Sequence, residues 1–241
     1  MLAVILAGGK GTRLKPFTMT IPKPLLPLGD VPVLEIVLRQ LAADGFTKVV
    51  LTIGHMSALF AANFGDGSDL GLSIEYVREL EPLGTAAPLR QIPNLPDHFL
   101  VMNGDLLTDL SFRDLLEAHR RVGAAATMAV IERKEKIDYG LIDLAADGSF
   151  LDYKEKPVVS HHVSMGINVI AKRALDLIPR AGHFDMPQLM LALHRGGSRV
   201  HCHRAECYWQ DIGRFDDYTR ASEDFVQNPG RFLRASSGAR K

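Results

Sequence analysis

Cysteine is nearly missing from this chain, which has two in 241 residues. Two thiols cannot staple a chain of this length. Its fold must rest on apolar burial, and the usage fits a reducing compartment, so a cytoplasmic protein is expected. Net charge is missing as well: 28 Lys and Arg balance 28 Asp and Glu. That balance argues against a protein whose main task is to coat nucleic acid or an anionic membrane, and neither is expected as a partner. No apolar run approaches the ~18 residues needed to cross a bilayer. Leu2 to Leu6 is apolar, but it is too short for a signal peptide, follows no basic region and runs straight into Gly8 and Gly9. Gly/Ser linkers and internal repeats are lacking too. One domain over residues 1–227 is expected, followed by a flexible tail over 228–241.

What the chain does have is alternation. Apolar or β-branched runs at 2–6, 48–53, 73–77, 98–102 and 127–131 read as strands. Between them, helical spacing of apolar residues marks 33–43, 56–64, 85–91 and 112–122. Strand–helix alternation implies βαβ units, so the expected fold is α/β, a Rossmann-like three-layer α/β/α arrangement around a mostly parallel sheet. The second half differs. Segments 141–144 and 150–154 flank Asp147-Gly148, a hairpin turn pair, and predict a small antiparallel excursion. His161-His162 is expected in a loop at its end. A strand at 163–170 and helices at 172–178, 186–194 and 215–226 complete the pattern.

The chemistry begins where the first strand ends, at Leu6-Ala7-Gly8-Gly9-Lys10-Gly11-Thr12-Arg13. Three glycines in four positions remove the Cβ atoms that would keep a phosphate from the backbone, and successive amides in such a loop can hold an anion. A strand's carboxyl end is the usual ligand crevice of an open α/β sheet. Two familiar phosphate loops fail on inspection. A P-loop needs Ser or Thr after the Lys, where this chain has Gly11, and a dinucleotide fingerprint needs glycine where this chain has Leu14. What remains is a glycine turn followed by two cations. Arg13 offers a planar fork, and Lys23 is a point charge whose aim is restricted by Pro22 and Pro24. His201-Cys202-His203 with Cys207 has the residue types of a zinc site, but alternation on a strand would send Cys202 away from the two histidines.

The turn and its continuation through Pro22-Lys23-Pro24 resemble the N-terminal signature of the sugar-1-phosphate nucleotidyltransferases. Glu81-Pro82-Leu83-Gly84-Thr85-Ala86, Asn103-Gly104-Asp105, Tyr139-Gly140, Glu155-Lys156-Pro157, Met165-Gly166-Ile167 and Trp209-Gln210-Asp211-Ile212-Gly213 resemble further elements of that family, in the family's order. The resemblance implies transfer of a nucleotidyl group from a nucleoside triphosphate to a sugar 1-phosphate, with release of pyrophosphate. Arg13 and Lys23 are implied as catalytic cations. Leu6, Ala7, Gly8, Gly9, Gly11, Thr12, Glu81, Gly84 and Thr85 would bind the nucleotide. Asn103, Gly140, Glu155, Lys156 and Gly166 would bind the sugar phosphate, and Asp105 and Asp211 would hold Mg²⁺. The 81–86 loop is similar to that of mannose- and heptose-1-phosphate guanylyltransferases, which implies GTP with one of those sugars.

Two departures from the family pattern, Ala87-Pro88 and Ser164, fall where base or sugar would bind. UTP, CTP, dTTP or a non-sugar phosphate acceptor therefore remain alternatives, as does a silent regulatory subunit on the same fold. The presence of Arg13, Lys23, Asp105 and Asp211 speaks against the last. Trp209 is expected to pack beneath the Asp211 motif. With the sequence ending soon after the last helical pattern, the C-terminal β-helix of several longer relatives is not expected, and the oligomeric state is left open.

Overall fold

The computed structural model describes residues 1–9, 11–54, 56–79 and 81–233. In chain order the strands and α-helices are β1 (Leu2–Ala7), β2 (Pro27–Leu28), β3 (Val31–Pro32), α1 (Val33–Ala43), β4 (Lys48–Ile53), α2 (Ser57–Phe64), β5 (Ser73–Arg78), β6 (His98–Asn103), β7 (Leu106–Thr108), α3 (Phe112–Val122) and β8 (Ala126–Lys136). They continue as β9 (Leu141–Leu144), β10 (Phe150–Lys154), β11 (Val158–Ala171), α4 (Met186–Arg195), β12 (Val200–Arg204), β13 (Trp209–Asp211), α5 (Phe215–Gln227) and α6 (Pro229–Phe232).

Seven strands form one sheet in the order β12-β8-β11-β6-β1-β4-β5. Within it β1 runs parallel to both β4 and β6, β4 to β5 and β12 to β8, while β11 lies antiparallel between β6 and β8. Successive β1 residues therefore feed opposite faces. Ala3 and Ile5 pack with Leu34, Leu38 and Phe112, whereas Leu2 and Val4 pack with Leu89, Leu189 and Met190. Both faces are covered, which is why the strand reads as an unbroken apolar run in the sequence. The chain leaves β1 for β4 on one side and later returns to its other side as β6. This reversal opens a crevice at the carboxyl ends of β1, β5 and β6.

Three sequence expectations change. The turns at Ala87–Gln91 and Lys172–Leu177 are 3-10 rather than α-helical, and Pro88 is at the start of the first. His161 and His162 are in β11, paired with Arg133 and Glu132, because the β8–β11 ladder runs out as far as Lys136 and Val158. Residues from 228 on do not begin as a tail. Phe232 of α6 is buried against Phe225 and Tyr208, and its carbonyl accepts a hydrogen bond from the buried Gln40 amide, which also donates to Thr108. The rest of the expected tail, 234–241, lies outside the described residues.

His119 of α3 is fully buried, with Nε2 2.9 Å from His98 Nδ1 and Nδ1 2.9 Å from Thr127 Oγ1. Burial first, then the neighbouring His98 and Arg173, lowers its pKa from 6.5 to about 4. The unfolded chain therefore binds a proton there that the native chain refuses between those two values. The stability that neutral His119 contributes is complete above pH 6.5 and is lost as the pH falls toward 4. Denaturant titrations should show wild type losing up to about 1.4 kcal/mol per pH unit more than His119→Gln across that window. Parallel pH profiles for the two proteins would refute the assignment.

Candidate active site

The glycine turn leaves β1 along the rim of the crevice. Gly11 has φ +59°, and a Cβ there would stand 2.9 Å from Thr18 Cγ2 and 3.2 Å from Lys23 Cβ. Thr18 Oγ1 donates to the Gly11 carbonyl at 2.8 Å, so the loop folds back upon its own glycine and brings Lys23 beneath it. Pro22 and Pro24 bracket Lys23 in a 3-10 turn, and its side chain is only 10% exposed. An ammonium taken that far from water needs a counter-charge. Lys23 Nζ is hydrogen-bonded to Asp105 Oδ2 and stands 4.0 Å from Asp211 Oδ1.

A short antiparallel ladder explains why two carboxylates so far apart in sequence share one lysine. β13 pairs with β7 so that Asp211 stands opposite Leu106, and the Ile212 amide donates to the Asp105 carbonyl at 3.1 Å. Burial raises the Asp211 pKa, and the Asp105 carboxylate raises it further, against the pull of Lys23 and Arg13. The Arg13 guanidinium closes the group: a methyl on Gly213 would lie 3.7 Å from its Nη1 and 3.0 Å from Asp211 Oδ2. Among the described residues no cluster of three or more His, Cys, Asp or Glu side chains is placed to hold a metal. Two carboxylates at one crevice, with water and phosphate oxygens as the remaining ligands, fit the donor set of Mg²⁺.

Two cavities meet here. The first, about 380 Å³, is lined by Leu6, Ala7, Gly8, Gly9, Gly11 and Thr12 of the turn, by Arg13, Lys23 and Asp105, and by Glu79, Gly84, Thr85 and Asn103. The second, about 610 Å³, shares Leu6, Thr85 and Asn103 with it and adds Asp211, Gly166, Ser164, Asn168 and Trp209, with Met128, Met165, Met186 and Met190. Gly166 has φ +70°, and a Cβ there would meet Asn103 Nδ2 at 2.7 Å, so the wall between the cavities has no room for a side chain. Trp209 does not merely pack beneath the Asp211 motif. Its ring faces the second cavity, fixed by Nε1 donating to the Met165 carbonyl and by the Arg133 guanidinium 5.2 Å from the ring centre.

The 83–87 loop is locked rather than free. Thr85 donates from its amide and hydroxyl to Asp185 Oδ1, while the Ala86 and Ala87 amides donate to the Phe184 carbonyl. Asp185 also caps α4, so the loop is tied to the start of that helix. Gly84, at φ +89°, leaves 2.7 Å between a would-be Cβ and the Phe184 carbonyl oxygen.

Four residues expected in the site line neither cavity. Glu81 is exposed; the carboxylate that faces the crevice is that of Glu79, whose Oε1 would stand 2.9 Å from a Cβ on Gly8. Burial raises the Glu79 pKa. Glu79 directly follows β5, and that position at the rim shared with the glycine turn was the signal available in the sequence. Gly140, Glu155 and Lys156 lie on the β9–β10 excursion. Gly140 packs against the Tyr153 phenol, which donates to Glu155 Oε2 at 2.8 Å, and Lys156 takes φ +42° on the exposed surface.

The family model for nucleotidyl transferases matches residues 2–228. The chain belongs to this family. A mannose-1-phosphate guanylyltransferase of Mycobacterium tuberculosis is 34% identical over 98% of this chain and 68% of its own length. A UTP–glucose-1-phosphate uridylyltransferase of Synechocystis is 32% identical over 92% of this chain and 62% of its own length. The chain thus spans about two thirds of these curated relatives. The crystal structure of HddC from Yersinia pseudotuberculosis, complexed with GMP-PN, superposes with a TM-score of 0.72 at 23% identity, over 93% of this chain and 99% of that one. It shares the fold. No helix among the described residues is long and apolar enough to cross a membrane.

The glycine contacts separate two neighbours in one turn. Gly11→Ala should destabilise by about 1–2 kcal/mol, the usual cost of forcing a side chain into the left-handed region. Gly9→Ala, whose new methyl meets no described residue beyond its chain neighbours within 4 Å, should stay within about 0.5 kcal/mol of wild type. Chemical denaturation of the two variants decides, and equal losses would contradict this loop geometry.

Proposed function

We propose that this chain transfers a nucleotidyl group from GTP to a sugar 1-phosphate and releases pyrophosphate. The observation that carries the reading is Lys23 held between Asp105 and Asp211 at the seam of two cavities that share Leu6, Thr85 and Asn103. One cavity is lined by glycine amides and cations, as a triphosphate needs, and the other borders it on the side of Asp211. Two anions must be brought together, so charge neutralisation and alignment dominate such a reaction.

In this reading the glycine-turn amides hold the triphosphate, and Arg13 neutralises the departing pyrophosphate. Lys23 stabilises charge on the α-phosphate as an acceptor phosphate oxygen bonds to its phosphorus and the bond to the β-phosphate oxygen breaks. Asp105 and Asp211 hold Mg²⁺, which when bound supplies further charge neutralisation at the phosphates. The base falls to Glu79. Guanine presents two adjacent donors, N1–H and the 2-amino group, to a carboxylate that can accept both, whereas uracil and thymine flank their single N–H with acceptors. The Mycobacterium relative points to guanine as well.

One observation favours a second reading, an acceptor that is not a sugar. The second cavity is walled by four methionines, and Glu155 and Lys156, the implied grip on sugar hydroxyls, stand away from it.

Pyrophosphate release measured across GTP, UTP, CTP, dTTP and ATP with a panel of phosphate acceptors and Mg²⁺ tests the proposal. GTP with a sugar 1-phosphate should give the highest kcat/KM. Lys23→Ala and Asp211→Ala should each cut turnover by at least about 100-fold in the folded protein. Glu79→Gln should shift the GTP-to-UTP ratio by roughly tenfold toward UTP, within the ~1–3 kcal/mol that a bidentate contact discriminates. Transfer that is indifferent to all three changes would remove the assignment.

A further inference from the structure

Arg13 is on a segment, residues 11–22, that contributes nothing to the central sheet and reaches the rest of the molecule through few side chains. Leu14 and Thr18 are buried, and Thr18 Oγ1 donates to the segment's own Gly11. Pro22 at the segment's far end is buried as well, and between these points the segment is held by an aromatic stack on the surface. The Phe17 ring lies over that of Phe215, with centroids 5.9 Å apart and planes 10° from parallel, and Tyr218 approaches at 6.4 Å. Both phenylalanines are about half exposed, 47% and 53%. They are therefore not core residues, and burial in an apolar interior does not account for them.

Their positions in the chain do. Phe17 follows Arg13 by one short turn. Phe215 opens α5 just beyond Asp211 and Gly213, beside which the Arg13 guanidinium lies. Tyr218 is itself fixed, its hydroxyl donating to the Pro27 carbonyl at 2.7 Å. We infer that the Phe17–Phe215 stack is a clamp that sets Arg13 against Asp211, and that the two rings are positioning residues for departure of pyrophosphate. The inference rests on the transfer reaction proposed above. Offset and parallel stacking is directional, so the clamp fixes the loop's orientation as well as its distance. The rings touch neither cavity, so they act through Arg13 alone.

The test compares Phe215→Ala, Phe17→Leu and Phe215→Tyr with wild type. The first two should lower kcat about tenfold and raise the KM for pyrophosphate in the reverse reaction, while the acceptor KM stays within about twofold. Phe215→Tyr, which keeps the ring, should restore both parameters. A purely structural role would move both substrates' KM values together. A second readout needs no turnover: tryptic cleavage after Arg13 should be faster in Phe215→Ala than in wild type, and inorganic pyrophosphate with Mg²⁺ should protect wild type alone. Faster cleavage in the variants of a protein that transfers no nucleotide would support the clamp and overturn the reaction. Unchanged cleavage and unchanged kcat in both Phe215→Ala and Phe17→Leu would overturn the clamp.

Discussion

Everything in the site depends on one hydrogen-bonded corner, the amide of Ile212 on the carbonyl of Asp105. It closes the two-strand ladder of β7 and β13 and carries Asp211 across more than a hundred residues of sequence to the side of Asp105. Burial raises the Asp211 pKa, and the repulsion of the neighbouring Asp105 carboxylate raises it further. Lys23 offsets it from below, and the buried lysine is in turn tolerable only because Asp105 accepts from it. The three residues form a mutually dependent set in which removing any one strands the others.

The sheet explains where this corner falls. The reversal of chain direction about β1 leaves the ends of β1, β5 and β6 as one rim, and each end contributes something different. From β1 come backbone amides, from β5 the carboxylate of Glu79, and from β6 the amide side chain of Asn103, which lines both cavities. The glycines follow from crowding. Gly8 faces Glu79 and Gly166 abuts Asn103, two side chains that line the crevice, while Gly104 packs on the buried Ile5.

Most of the fold could be read from the sequence, because burial on two faces leaves apolar runs and burial on one leaves helical spacing. Helices α1 and α3 and strands β4, β9 and β10 have the bounds their patterns predict. The pieces that escaped are those whose cause is not periodic. β7 and β13 are three residues each and pair with each other, and α6 is held by the buried ring of Phe232, an amide from Gln40 and the Arg231–Asp109 ion pair. The site followed the same rule. Residues tied to local backbone form, such as the glycine turn and Lys23 between two prolines, were legible. Glu79 escaped because its one signal was its place just past the end of β5, and Glu81, within the recognisable motif, was named instead.

The excursion marks the limit of such reading in another way. Gly140, Glu155 and Lys156 have the family's residue types and spacing, yet their present partners are each other's neighbours: Tyr153 packs on Gly140 and bonds Glu155, while Lys154 pairs with Asp143 across the hairpin and with Asp152 along its own strand. These contacts are exposed, and exposed ion pairs hold little. Leu144, Phe150, Leu151 and Tyr153 also stand mostly in water on the hairpin. A two-stranded sheet with so little buried beneath it is weakly held by packing. The hairpin's own bonds keep Gly140 and Glu155 together, so they can approach the second cavity only as a unit. In the proposed reaction, recognition of acceptor hydroxyls by Glu155 and Lys156 would thus be separate from the corner, which is built into the ladder and the buried lysine, while the two residues are carried on an exposed hairpin.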